Sequence, residues 1–142
     1  MDPLTAAAPD RLAIPRPAWR AMLHEVQARL PDEACGVLLG RGGQVLEALA
    51  VTNALHSPQR YRMDEREQLA LFLRLEAEAL DLLAIYHSHP DGPPTPSATD
   101  TAEAYYPETV YLVWSPLENN WGCRGFVMQD GQFQEILLIL ID

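Results

Sequence analysis

The segment from Tyr86 to Asp100 constrains this chain most, because it combines two histidines, a proline-rich loop and a Ser-x-x-Asp pair. The apolar residues before the histidines predict a strand. Side chains two apart on a strand point to the same face, so His87 and His89 are expected to face one side. The prolines fix backbone φ angles and predict a stiff loop. That loop leads to a helix start, where Ser97 and Asp100 share a face.

Two neutral imidazoles and one carboxylate are typical of a catalytic zinc site, which has three protein ligands and a fourth position for water. The segment therefore predicts one zinc ion per chain, bound by His87, His89 and Asp100. Zinc lowers the pKa of its water toward about 7, and amide hydrolysis then needs a base to carry the proton to the leaving nitrogen. The hydroxyl of Ser97 is a candidate donor to the oxyanion of the scissile carbonyl. Spacing alone does not choose the base among the many acidic residues.

Both motifs also have ordinary structural interpretations. A bare His-x-His on a strand is more often solvated or hydrogen-bonded than metal-bound. Ser-x-x-Asp is typical of a helix N-terminus, with Ser97 as the N-cap and Asp100 three residues further on. The two interpretations of this pair are compatible, because a capped helix start is a well-fixed platform for a ligand and a hydroxyl. Capping gives no reason, however, for two histidines just across the loop.

The composition limits the partners and the location of the protein. The chain has 20 Asp and Glu residues against 10 Lys and Arg, a formal net charge of -10. Such a surface repels phosphate backbones, so nucleic acid is not an expected partner. No apolar run approaches the roughly 18 residues that a membrane helix needs, so no membrane association is expected. Residues 1–11 lack the core of a secretory signal and are expected to be a flexible tail, which predicts a cytoplasmic protein with Cys35 and Cys123 as free thiols.

The order of helical and strand patterns predicts a single α/β (α+β-like) domain over residues 12–142, with helices flanking a curved mixed β-sheet. One helix is predicted from Pro17, and a second follows Asp64 and Glu67, which resemble a capping box. The second helix shows an apolar stripe that is expected to face the core, namely Leu69, Phe72, Leu73, Leu80 and Leu83. Strands are predicted near 12–14, 34–40, 44–52, 82–86, 110–114, 121–128 and 132–141, with a short helix at 97–104.

Together with an early acidic residue, these motifs resemble a known signature. Glu33 precedes the apolar run Gly36–Gly40, and His87-Ser88-His89-Pro90, six further residues and Ser97-x-x-Asp100 come much later. This pattern resembles that of the JAMM (MPN-plus, JAB/MPN-type) zinc metalloprotease family, a Glu on an early strand and then His-x-His-Pro-x6-Ser-x-x-Asp. Every functional position of the signature is filled, and the order of elements agrees over nearly the whole chain after residue 12.

The resemblance implies a role for each matching residue. Zinc would be held by His87, His89 and Asp100, Glu33 would act as general base and then acid, and Ser97 would stabilise the tetrahedral intermediate. It also implies an MPN/cytidine-deaminase-like architecture and deubiquitinase-like cleavage after the C-terminal diglycine of ubiquitin or a ubiquitin-like protein. Small bacterial members act on ubiquitin-like sulfur-carrier proteins, so such a carrier is the expected partner, its tail running along residues 50–61. A homodimer is one expected assembly.

Two other functions fit parts of the pattern, and two further classes of zinc enzyme do not. Inactive relatives are scaffolds or dimer partners, but they typically lose a ligand, and here every ligand position is filled. A DNA-repair-associated branch has a similar run, with which Gly92 and Pro96 agree, yet it usually carries an N-terminal DNA-binding domain, where this chain has a short tail. The Pro-Cys-x-x-Cys motif of zinc deaminases and the His-Glu-x-x-His motif of other zinc proteases are absent from the sequence.

Overall fold

The computed structural model describes residues 9–102 and 108–142. Its elements in chain order are β1 (Arg11–Pro15), α1 (Arg16–Arg29), β2 (Cys35–Arg41), β3 (Gln44–Val51), α2 (Glu65–Glu78), β4 (Asp81–Ser88), α3 (Ala98–Ala102), β5 (Val110–Leu117), β6 (Asn120–Gln129) and β7 (Gln132–Ile141). None of the helices in these ranges has the length and apolar character needed to cross a membrane. The last two positions of the short helix predicted at 97–104, and residues 1–8 of the predicted tail, lie outside the described residues.

The strands form one mixed sheet in the order β1-β7-β6-β5-β4-β2-β3. β4 runs parallel to β5 and β1 parallel to β7, while the other neighbours are antiparallel. The sheet curves enough that its edge strands, β1 and β3, come close to one another. This arrangement confirms the predicted α/β domain with a curved mixed sheet. Because β4 lies between β2 and β5, the residues at its end are held on both sides.

Helix α1 packs on one face of the sheet. Ala18, Met22 and Val26 recur every four residues and are all buried. They share a core with Tyr86 of β4 and Trp114 of β5. Burial of an aliphatic side chain of this size contributes roughly 1.5–3 kcal/mol, so this packing, more than helix propensity, holds α1 in place.

Helix α2 covers the other face and begins where the sequence predicts. The side chain of Asp64 accepts hydrogen bonds from the backbone N–H groups of Arg66 and Glu67, both at 3.0 Å. A full capping box would also have the Glu67 carboxylate accept from the N–H of Asp64. Here that carboxylate accepts from the N–H of Thr52 at 3.2 Å. The N–H of Asp64 donates instead to the Thr52 carbonyl. These bonds fasten the start of α2 to the end of β3.

The predicted apolar stripe is wrong in its phase within α2, whereas its last two members, Leu80 and Leu83, lie beyond the end of the helix and do pack against the core. Leu69 and Leu73 are 61% and 60% exposed, whereas Leu71 and Leu75 pack toward the sheet. The helix carries two leucine pairs at i, i+4 spacing, offset by two residues, and such pairs point to nearly opposite sides. The position of the helix over the sheet decides which pair is buried, and the local pattern contains no information about that position.

Candidate active site

Three predicted metal ligands meet at the end of β4. His87 is the penultimate residue of β4, His89 directly follows the strand, and Asp100 lies in α3. The Nε2 atoms of the two histidines are 3.0 Å apart, and each lies 3.2 Å from Oδ2 of Asp100. A tetrahedral zinc site with bonds of about 2.0–2.1 Å places its ligand atoms about 3.4 Å apart. The three donors therefore fit a zinc ion in spacing and in chemical type.

The loop after β4 fixes the ring of His89. The backbone N–H of His89 donates to the carbonyl of Trp114 on β5 at 2.8 Å, so the chain still follows the sheet at this point. Its Nδ1 lies 2.8 Å from the carbonyl oxygen of Pro93. A carbonyl only accepts, so Nδ1 carries a proton. This arrangement leaves Nε2 as the atom that can bind a metal.

Ser97 and Asp100 form a reciprocal cap at the start of α3. The N–H of Ser97 donates to Oδ2 of Asp100 at 2.6 Å, and the N–H of Asp100 donates to Oγ of Ser97 at 3.0 Å. This is the capping arrangement predicted from the sequence. The same Oδ2 atom faces both histidines. The cap therefore fixes the orientation of the carboxylate that faces the imidazoles.

His87 lies deepest in the cluster. It is 2% exposed, and its ring stacks on that of Tyr61 with centroids 4.7 Å apart. Within the described part of the chain, its Nδ1 is buried without a hydrogen-bond partner. Burial lowers the pKa of this imidazole, against the opposing effect of its hydrogen bond with Asp100. The ring is thus held neutral, which is the form that binds metals.

The charges of the other two donors are coupled. Burial alone would raise the pKa of the Asp100 carboxyl, but its hydrogen bonds with His87 and His89 hold that pKa well below its usual range. For His89, burial acts to lower the pKa. The hydrogen bonds with Asp100 and with the Pro93 carbonyl outweigh burial, and the pKa of His89 is raised. The result is an ionised carboxylate facing two imidazoles, the donor set that a divalent cation requires.

Glu33, which directly precedes the β2 region, lies beside the two histidines. It is 4% exposed, and its carboxylate and the two imidazoles each offer an atom within 4.8 Å of the others. Burial raises the pKa of its carboxyl from 4.5 to about 7, while His89 lowers it and Asp100 raises it by smaller amounts. Glu33 and the histidines form one conceivable metal group. Asp100, however, has the spacing of a direct tetrahedral ligand, which favours Glu33 as a neighbour of the metal.

Two buried residues that the sequence analysis did not single out bring Glu33 to this place. Ser88 accepts a hydrogen bond from the N–H of Ala34 on its Oγ at 2.8 Å, and its own N–H donates to the Ala34 carbonyl at 3.1 Å. Asn53 donates from Nδ2 to the carbonyl oxygen of Glu33 at 3.0 Å. The position of Ser88 between the histidines is a sequence signal that could have identified it. Asn53 looks like an ordinary turn residue.

Three of the five predicted site residues, Glu33, His89 and Ser97, border an open cleft of about 280 Å³. Its lining consists of Glu33, Pro58, Gln59, His89, Asp91, Gly92, Pro93 and Ser97. His87 and Asp100 contact His89, so the structure gathers all five predicted residues in one place. The cleft therefore opens onto Glu33, Ser97 and the donor cluster together.

Comparison with known proteins identifies the family. Residues 15–126, which include all five predicted site residues, match the family described as prokaryotic homologs of the JAB domain. The protein belongs to this family. Membership confirms the JAMM/MPN-type resemblance that the spacing of Glu33, the two histidines and the Ser-x-x-Asp pair indicates.

Several proteins of known type are similar to this chain in sequence. The chain is 35% identical to a Thermus thermophilus protein named "Probable TtuB-protein conjugate cleaving protease", over 86% of this chain and 80% of that protein. It is 35% identical to the CysO-cysteine peptidase of Mycobacterium tuberculosis, over 81% of each chain. It is 39% identical to the desampylase of Haloferax volcanii over 61% of this chain, a match that spans 64% of that relative.

Solved structures agree with the fold. The solution structure of a protein from Desulfitobacterium hafniense has a TM-score of 0.81 and 31% sequence identity, covering 92% of this chain and 93% of that one. A JAB1/MPN domain protein from Archaeoglobus fulgidus has a TM-score of 0.61 at 17% identity, covering 92% and 100%. The second likeness concerns the fold alone. Together they confirm the predicted MPN-type architecture.

Proposed function

We propose that this JAB-family protein is a zinc metallopeptidase that hydrolyses the amide bond after the C-terminal diglycine of a ubiquitin-like carrier protein. The observation that carries the proposal is the donor cluster, in which three atoms lie 3.0–3.2 Å apart beside a buried carboxyl with a raised pKa. In structural zinc sites four protein ligands fill the coordination sphere of the metal. Three protein ligands next to a base are typical of hydrolytic sites.

In this proposal His87, His89 and Asp100 hold the zinc ion. When bound, zinc supplies Lewis acidity and lowers the pKa of a water at its fourth position to about 7. The reciprocal cap of Ser97 and Asp100 and the Pro93 carbonyl behind His89 keep two of the donors in orientation. Such supporting hydrogen bonds typically change metal affinity 10- to 100-fold when they are lost.

Glu33 has the proposed role of proton carrier. As a carboxylate it accepts the proton of the attacking water, and as the acid that this produces it donates the proton to the leaving nitrogen, so that no proton is left over at the end of the reaction. A base works best when its pKa is near the working pH, and burial brings Glu33 into that range. Ser97, which lines the same cleft, would donate a hydrogen bond to the oxyanion of the scissile carbonyl.

The proposed substrate is supported by the cleft and by the relatives. Pro58, Gly92 and Pro93 line the cleft beside Glu33, His89 and Ser97, so a carrier tail that enters it would lie next to the proposed catalytic groups. The names of the similar proteins refer to a TtuB-protein conjugate, to CysO-cysteine and to desampylation. The net charge of -10 makes nucleic acid an unsuitable partner. The predicted homodimer and cytoplasmic location stay predictions.

The direct test is trimming of a carrier tail. A purified ubiquitin-like carrier that ends in Gly-Gly, extended by a few residues, is incubated with the zinc-loaded protein and analysed by intact mass spectrometry. We expect loss of the extension with the wild type. Glu33→Gln should keep zinc and lose this activity, because an amide cannot accept the proton, while Glu118→Gln at the exposed β5–β6 turn serves as the matched control and stays active.

Each other outcome has a definite meaning. Zinc-loaded wild type that binds the carrier without cleaving it would support the scaffold function and overturn the peptidase. Cleavage of unrelated peptides but not of the Gly-Gly junction would overturn the substrate class. Full activity in Glu33→Gln would remove Glu33 from the role of the base.

A further inference from the structure

Asn53 uses its whole side-chain amide inside the protein. It is 6% exposed, and its Nδ2 donates to the carbonyl oxygens of Glu33 and Arg60, both at 3.0 Å. Its Oδ1 accepts from the N–H groups of Leu55 and Arg62 at 3.0 and 3.2 Å. A buried amide that makes four bonds to main-chain groups organises the surrounding backbone strongly, because each group left unpaired would carry a desolvation cost.

These bonds join Glu33 to the loop of residues 53–62. The loop holds both main-chain polar groups of Glu33. Asn53 donates to the carbonyl oxygen of Glu33, and the N–H of Glu33 donates to the carbonyl oxygen of Ser57 at 2.8 Å. Strand β2 begins only at Cys35. The backbone position of Glu33 is therefore set by this loop, whereas that of the next residue, Ala34, is set by Ser88.

The same loop forms part of the cleft. Pro58 and Gln59 line it together with Glu33 and His89. Because the amide of Asn53 closes the loop at Leu55, Arg60 and Arg62, it fixes the cleft lining and the acid–base residue relative to each other.

We propose that Asn53 is a positioning residue for catalysis, which acts by holding Glu33 and the 53–62 loop in register. The inference rests on the proposed role of Glu33 as the base. Displacing a catalytic group by about 1 Å is enough to lower a rate roughly 100-fold, so a clamp on the backbone of that group is expected to affect turnover.

The test variant is Asn53→Asp. It keeps the shape and the acceptor for Leu55 and Arg62, but replaces both donors with an oxygen that faces the carbonyls of Glu33 and Arg60. We expect kcat on the extended carrier to fall roughly 10- to 100-fold, with KM changed much less and zinc content unchanged. Asn119→Asp, which adds the same charge at an exposed turn, is the control and should match the wild type.

Normalising kcat to the folded, zinc-loaded fraction separates positioning from simple destabilisation, which lowers the melting temperature and the active fraction but leaves turnover per folded, zinc-loaded molecule unchanged. A folded Asn53→Asp protein with wild-type kcat overturns the inference. So does a loss of kcat that disappears when rates are normalised to the folded, zinc-loaded fraction.

Hydrogen exchange on the wild type gives a second, independent measurement. If the clamp holds Glu33, its amide exchanges as slowly as those of Leu55 and Arg62, because one loop opening exposes all of them. A Glu33 amide that exchanges at the rate of a freely exposed loop amide overturns the inference, even where Asn53→Asp fails to fold. If the wild type cleaves no carrier, the proposed function fails, and hydrogen exchange still decides whether the 53–62 loop holds Glu33.

Discussion

The cleft has two walls that are built in different ways. The ligand wall, residues 87–100, carries the two histidines and Asp100, and the hydrogen bonds that orient the His89 ring and the Asp100 carboxylate within it join residues only three or four positions apart. The base wall, Glu33 with the 53–62 loop, is assembled from residues that are distant in sequence. Local spacing can therefore reveal the ligand wall, whereas the base wall exists only in the folded chain.

The walls also differ in how charge is balanced. In the ligand wall, hydrogen bonds with the two histidines hold the pKa of Asp100 low although burial works against it. In the base wall burial dominates and raises the pKa of Glu33 to about 7. Hydrogen bonds within the ligand wall thus stabilise the ionised form of Asp100, while burial in the base wall stabilises the protonated form of Glu33. Perturbed pKa values are typical of functional sites, and the pKa of Glu33 is brought close to neutral pH, where the group can exchange protons.

The largest effect is expected from breaking the ligand wall. Asp100→Ala removes one of three donors, so zinc affinity should fall by more than the roughly 100-fold that loss of a supporting hydrogen bond can cost, and activity should fall to background. Zinc content after dialysis, measured by elemental analysis, checks this. Asp91→Ala on the same loop is the matched control for zinc content, since that carboxylate is exposed. Undiminished zinc affinity in Asp100→Ala would mean that Glu33 completes the metal group instead.

A smaller effect is expected at Ser97. Ser97→Ala removes the proposed oxyanion donor, and loss of one such donor typically lowers kcat roughly 100- to 1,000-fold. The Asp100 carboxylate still accepts from the backbone N–H of Ser97, so zinc content should stay near one per chain. Both quantities are measured on the same sample. Unchanged kcat would exclude the oxyanion role, and loss of zinc would show that the hydroxyl mainly supports Asp100.

Much of the fold follows from local patterns, and the exceptions have a physical cause. The continuous apolar run of β5 and the turn at Asp130-Gly131 are local features, and both lie where the sequence predicts, with φ angles of 51° and 77° at the turn. Helix α2 shows the limit, because Leu69 and Leu71 are equally apolar and only the sheet buries one of them. Periodicity identifies a helix, but its phase depends on a partner that is distant in sequence.

The site divides in the same way. Spacing predicts His87, His89 and the Ser-x-x-Asp pair, while Glu33 was reached only through the family resemblance. Asn53 was missed, since its four partners are main-chain carbonyl and N–H groups, and every residue supplies a carbonyl and every residue except proline an N–H. Such a residue leaves no complementary side chain elsewhere in the sequence. Its importance becomes visible only when the backbone around it has been placed.

The smallest expected effect is on the free energy of unfolding, and the base wall is tested by the direction in which that free energy changes with pH. Folding raises the pKa of Glu33 from 4.5 to about 7. The stability that this group contributes is therefore fully present below pH 4.5 and is lost as the pH rises through about 7, a change of roughly 3 kcal/mol at most. Glutamine does not ionise. Zinc-free Glu33→Gln should accordingly gain stability relative to the wild type between pH 4.5 and 8, as measured by urea unfolding.

Glu47→Gln provides a comparison with the opposite sign. The side chain of Arg74 donates to Glu47 at 2.6 Å, and this hydrogen bond lowers the pKa of the carboxyl. That carboxylate contributes stability above its unfolded pKa of 4.5, which is lost as the pH falls through its lower folded value. Glu47→Gln should therefore lose stability relative to the wild type as the pH rises, by less than about 1 kcal/mol, because the pair is partly exposed. If Glu33→Gln changes in the same direction as Glu47→Gln, the fold stabilises Glu33 as a carboxylate, and the contrast between the two walls does not hold.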